Sequence, residues 1–95
     1  MSKYGYDHDV ETLELVEVVE ETAHGRIEIL KKPRFGFFTA RHILHNGVTR
    51  WLPSGVQGEP MFFAEARARG ICHDFYEQWK KEFALEYLAW SVANG

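Results

Sequence analysis

The sequence predicts an α+β fold, a four-stranded antiparallel meander packed by a kinked pair of C-terminal helices. Three observations carry this expectation. The apolar pattern up to about residue 53 is short-range and rich in valine, isoleucine and phenylalanine, as in strands. An Asn46-Gly47 pair lies between two apolar runs, and such a pair accepts the positive φ angles of a tight hairpin. From Met61 onward the apolar residues recur at steps of three and four, which is helical spacing. The chain has 95 residues, 45% of them hydrophobic and 15% aromatic, enough to close one core; a single domain over 1–95 is expected.

Taken in order, residues 1–10 read as a polar arm. The next stretch, VETLELVEVVEE, mixes two signals. Its valines favour a strand, while glutamates at 11, 14, 17, 20 and 21 recur near every third position, as on a helix. Leu15-Val16 and Val18-Val19 break strict alternation, so the expectation is a strand over 11–21 carrying a bulge. AHGR turns the chain into RIEILKK, with Ile27 and Ile29 on one face and Glu28 and Leu30 on the other. Pro33 has no N–H for a ladder and closes that strand. FGFFTARHIL is the third strand, with Phe35, Phe37, Thr39, Arg41 and Ile43 on one face and Phe38, Ala40 and Leu44 on the other. VTRWL is the fourth, so the antiparallel sheet occupies 11–53.

PSGVQGEP is a loop whose Pro60 suits the first position of a helix. The stripe from Met61 through Ala68, Cys72, Phe75, Trp79, Phe83 and Tyr87 to Trp90 then defines a helical segment over 60–93. Unbroken, about 34 residues would span about 50 Å, against a diameter near 30 Å for a domain of this size. A break near residue 70 is therefore expected, at Arg69-Gly70, giving segments 60–69 and 71–93.

Composition excludes several classes. The lone Cys72 makes no internal disulfide and no cysteine-based zinc site, and suits a reducing compartment. No run approaches the roughly 18 apolar residues of a membrane span, so a cytoplasmic protein without membrane partners is expected. The histidines of HILH, His42 and His45, would point to opposite faces of a strand and so could not share a metal. There is no P-loop, no GxGxxG and no GxSxG. The expectation is a protein that is not an enzyme and holds no cofactor or metal.

Charge is distributed in blocks. The net charge is −3. Residues 1–25 hold seven acids against one lysine, whereas residues 26–50 hold six bases against one acid. The acidic block supplies candidate partner-binding residues, Asp9, Glu11, Glu14, Glu17, Glu20 and Glu21, whose spaced carboxylates could imitate phosphates in a basic groove. The plain reading is a solvated face. The basic block supplies an alternative, a single-stranded nucleic acid lying on Lys31, Lys32, Arg34, Phe35, Phe37 and Arg41. The surplus of Tyr, Trp and Leu near the end of the helical segment suits an interface, including one between two copies of the chain.

Two resemblances bear on these readings. PRFGFFT resembles the RNP1 strand of cold-shock domains and RNA-recognition motifs, with Phe35-Gly36-Phe37 at its centre. That likeness implies base stacking on Phe35 and Phe37. It covers seven residues, with Arg34 where the pattern has its first glycine and Pro33 where it has a base. In size, acidity and sheet-plus-helix plan the chain also resembles the small phage-encoded inhibitors of bacterial defence, the anti-CRISPR proteins. That likeness rests on architecture and carries over no residue. It implies a stoichiometric inhibitor in the host cytoplasm that binds a Cas effector complex by protein–protein contact.

Overall fold

A computed structural model describes residues 13–94, and the elements follow the order β1 (Glu14–Glu21), β2 (Gly25–Lys32), β3 (Phe37–Leu44), β4 (Thr49–Trp51), α1 (Glu65–Glu82) and α2 (Ala84–Asn94). The strands form one antiparallel sheet in the order β1-β2-β3-β4, with both helices following it in the chain. The meander and the α+β class are thus as the sequence predicts. No helix among the described residues is long and apolar enough to cross a membrane.

The turns are made by the residues that suit them. Between β3 and β4, Gly47 takes φ +90, and the Asn46 side chain accepts the Val48 N–H at 3.0 Å. At the start of β2 the need for glycine is steric instead. A Cβ on Gly25 would lie 2.0 Å from the Ile43 carbonyl oxygen of β3. Thr22 closes the β1–β2 turn, its hydroxyl accepting the Gly25 N–H at 3.0 Å and the His24 N–H at 3.2 Å.

β1 resolves the mixed signal of its sequence. Its register slips twice against β2, between Leu15 and Glu17 and between Val18 and Glu20. Each slip inserts one residue, so every third residue returns to the same face. Glu14, Glu17 and Glu20 pair with Lys31, Ile29 and Ile27, and Leu15, Val18 and Glu21 pair with Leu30, Glu28 and Arg26. The three-residue period of the glutamates is a bulged strand's period, not a helix's.

The core lies between the sheet and α1. Ile27 and Ile29 of β2, Ala40 of β3, Leu52, and Ala68 and Cys72 of α1 are fully buried. Val19, Phe38, Phe62, Ile71, Phe75 and Tyr76 pack around them. Each fully buried isoleucine contributes about 1.5–3 kcal/mol. Of the three rings in FGFF, only Phe38 lies on this face; Phe37 points to the other, beside Thr39 and Arg41.

The helical segment departs from expectation at both ends of its first half. α1 begins at Glu65, not at residue 60, because Phe62 is extended and exchanges two backbone hydrogen bonds with Phe38, at 2.7 and 2.8 Å. There is no break near residue 70. α1 runs unbroken through Gly70, and the interruption falls at Phe83, with φ −119 and ψ 42. The reason is packing. Ala68 and Cys72, on either side of Gly70, are both buried against the sheet, and Arg69 donates to Glu65 at 2.8 Å and Glu17 at 2.9 Å. A glycine in a helix costs about 1 kcal/mol relative to alanine, less than the burial of Cys72 returns. Past Trp79 no such burial holds the axis straight, and α2 has no buried residue at all.

Candidate functional site

The predicted acidic residues fall into three groups. Asp9 and Glu11 lie outside the described residues. Glu14, Glu17 and Glu20 share the helix-side face of β1, at the edge of the sheet, while Glu21 lies on the opposite face. Within the row, Glu17 accepts from Arg69 at 2.9 Å, which holds its carboxyl below the usual range. Glu14 and Glu21 are exposed and Glu20 is half-buried.

The predicted basic and aromatic residues are largely engaged inside the fold. Arg41 donates to Glu28 at 2.9 Å, and Arg26 approaches the same carboxylate at 3.1 Å. Glu28 is 1% exposed, so these two arginines neutralise a buried charge on the face away from the helices. Lys32 pairs with Glu59 at 2.5 Å and lies 5.8 Å over the Phe37 ring. Lys31 is half-buried, its ammonium 5.7 Å from the Phe38 ring. Phe35 stacks on Phe37 at 6.0 Å, but Phe37 is 8% exposed, leaving one accessible ring where a base platform needs two or three. Arg34 is exposed in the turn before β3. Sequence reading missed Glu28 as a buried acid. The signal was there, since it stands between two buried isoleucines with Arg26 two residues before it.

The C-terminal helix leaves an apolar face open. Leu85, Leu88 and Val92 are 84%, 58% and 84% exposed, and steps of three and four set them on one face. Glu86 is the only charged residue of α2. Its inner side is tied to α1 by rings, with Tyr87 edge-on to Trp79 at 5.9 Å and near Tyr76 at 6.4 Å. Glu86 also pairs with His24 of the β1–β2 turn.

A cleft lies between that turn, the β3–β4 turn and the second half of α1. It is lined by His24, His42, His45 and Arg50 on the sheet side and by Phe75, Trp79 and Phe83 on the helix side. His42 and His45 thus both line this cleft. Leu44 ends β3, so His45 sits in the turn, where strand alternation no longer applies. His42 is 3% exposed, lies 5.2 Å from the Phe75 ring and pairs through Nε2 with the Thr22 hydroxyl at 2.9 Å. Burial, with the nearby His24, Arg50 and His45, pushes it down to about 4, so it is neutral at pH 7. No set of three His, Cys, Asp or Glu among the described residues is placed to hold a metal ion. Cys72 is away from these histidines, its thiol directed toward the Glu28 carbonyl at 4.0 Å and pushed by burial up to about 12. Such a thiol is no nucleophile at neutral pH.

Compared with protein-family models, curated proteins and solved structures, the chain matches none of them.

Proposed function

We propose that the protein is a non-enzymatic binding protein that works by protein–protein contact, with α2 as its docking element. The observation that supports this reading is the open face of Leu85, Leu88 and Val92 on a helix without a single buried residue. Residues so placed contribute little to the fold, yet they match the spacing by which an amphipathic helix enters an apolar groove of a partner. Glu14 and Glu20 at the sheet edge, flanking the Arg69-bound Glu17, add negative charge suited to a basic surface nearby. The nucleic-acid reading is weaker, because Arg26, Arg41 and Lys32 are committed to Glu28 and Glu59.

Within that class, an inhibitor of a bacterial defence complex, of the anti-CRISPR kind, is the reading that combines small size, acidic charge and a single presented helix. The test is direct mixing of the protein with purified Cas effector complexes, followed by size-exclusion chromatography and a target-DNA cleavage assay. Stoichiometric co-elution and loss of cleavage are expected with one complex, and both should vanish for Leu88→Glu. Absence of co-elution with every complex would sink the inhibitor reading. Binding that Leu88→Glu leaves unchanged would sink the role of α2.

A further inference from the structure

The cleft between the turns and α1 encloses about 610 Å³, within the range of sites that take small molecules. Its two walls differ in chemistry. Phe75, Trp79 and Phe83 form an aromatic wall, with Phe83 itself 37% exposed. Opposite lie His24, His45 and Arg50. Arg50 is exposed and makes no ion pair among the described residues, whereas Arg26, Arg41 and Arg69 all do.

Arg50 supplies the anchor for an anion. The one carboxylate in the lining, Glu82, accepts from the Gln78 amide at 3.1 Å, and nearby Glu86 is taken by His24. At the cleft floor His42 is held neutral chiefly by burial, with Arg50 nearby. The aromatic wall also carries an unmet donor, since the buried Trp79 Nε1–H has no acceptor among the described residues.

The geometry points to a binding site for a small aromatic anion. Its ring rests against Phe75 and Phe83, and its carboxylate or phosphate group meets Arg50 and His45. A guanidinium suits either group, because its fork can donate two parallel hydrogen bonds. This site is separate from the exposed face of α2 and does not depend on the reading proposed for that helix.

The test is titration of the isotopically labelled full chain, followed by amide and indole N–H chemical shifts. The probes are benzoate, phenyl phosphate, benzyl alcohol and inorganic phosphate. Benzoate and phenyl phosphate separate the two acidic groups, and the better of them is expected to give saturable shifts centred on His24, His45, Arg50 and the Trp79 indole. Benzyl alcohol keeps the ring without the charge, and inorganic phosphate keeps a charge without the ring; each is expected to bind about tenfold more weakly or worse. Arg50→Gln, at an exposed position, should leave the spectrum folded and weaken the better anion about tenfold or more. No saturation by either aromatic anion up to about 10 mM would overturn the proposal. So would equal binding of benzyl alcohol or inorganic phosphate, or Arg50→Gln binding as the parent does.

Discussion

Replacing His42 with leucine should remove a pH-dependent part of the protein's stability. In the fold His42 titrates at about 4, against 6.5 for a free histidine. Above pH 6.5 it is neutral in both the folded and unfolded chains, and its contribution is fully present. As the pH falls from 6.5 toward 4, the unfolded chain takes up a proton that the folded chain refuses, and stability is lost. The loss approaches about 1.4 kcal/mol per pH unit. Between pH 7 and pH 5 it amounts to about 2 kcal/mol, or about 8–16 °C in Tm for a domain of this size. Leucine at 42 leaves Thr22 a partner, because its hydroxyl also reaches the Gly25 carbonyl at 3.2 Å. The assay is urea unfolding of both chains at pH 7 and pH 5. Every other group is common to the two chains, so the difference isolates His42. An equal fall in stability for parent and variant would refute the account of the cleft floor, as would an NMR titration placing His42 near 6.5.

Gly70→Ala should stabilise the protein by about 0.5–1 kcal/mol, because the helix is continuous there and an added Cβ meets nothing within 4 Å; a destabilisation in thermal melts would indicate a local break after all. Gly25→Ala should cost about 1–3 kcal/mol or more, since the clash with the Ile43 carbonyl forces a backbone shift; a melt unchanged within a degree would contradict that approach of β2 to β3. Native Cys72 should react with a thiol reagent at pH 8 about a hundredfold more slowly than in denaturant, being fully buried with its thiol raised. Equal rates would place it at the surface.

The meander was legible because its signals are local. Asn46-Gly47 marks a turn by itself, and alternation in RIEILKK needs no knowledge of its neighbours. The helix break was not legible, because it is decided by where the sheet ends. Gly70 is the weakest helix former of the segment, yet Ala68 and Cys72 on either side are pinned to the core, while Phe83, a tolerable helix residue, lies beyond that support. The bulge expected in β1 from the adjacent pairs Leu15-Val16 and Val18-Val19 is there, at both places; that the glutamates' three-residue spacing is its consequence appears only once β2 fixes the register. At the candidate surfaces, composition named the basic block correctly and misjudged its availability. Arg41 is used by Glu28 across two strands, which no local pattern announces, whereas Arg26, two residues before Glu28 on the same strand, was in view. The cleft joins His24, His45 and Arg50 from different turns and strands, and so leaves no motif.

The central claim is that α2 is held out for a partner. Leu85 and Val92, each 84% exposed, retain little burial energy in the free protein. Substituting both with serine should therefore cost only about 1 kcal/mol of stability, whereas burying the open face of α2 with Leu88 offers a partner about 3–7 kcal/mol. The decisive measurement is titration calorimetry of parent and Leu85→Ser/Val92→Ser protein against the Cas effector complex that co-elutes with the parent, alongside their melting curves. The account predicts a Tm within about 8 °C of the parent and affinity weakened at least about thirtyfold. A variant that binds as tightly as the parent, or that unfolds outright, would contradict it.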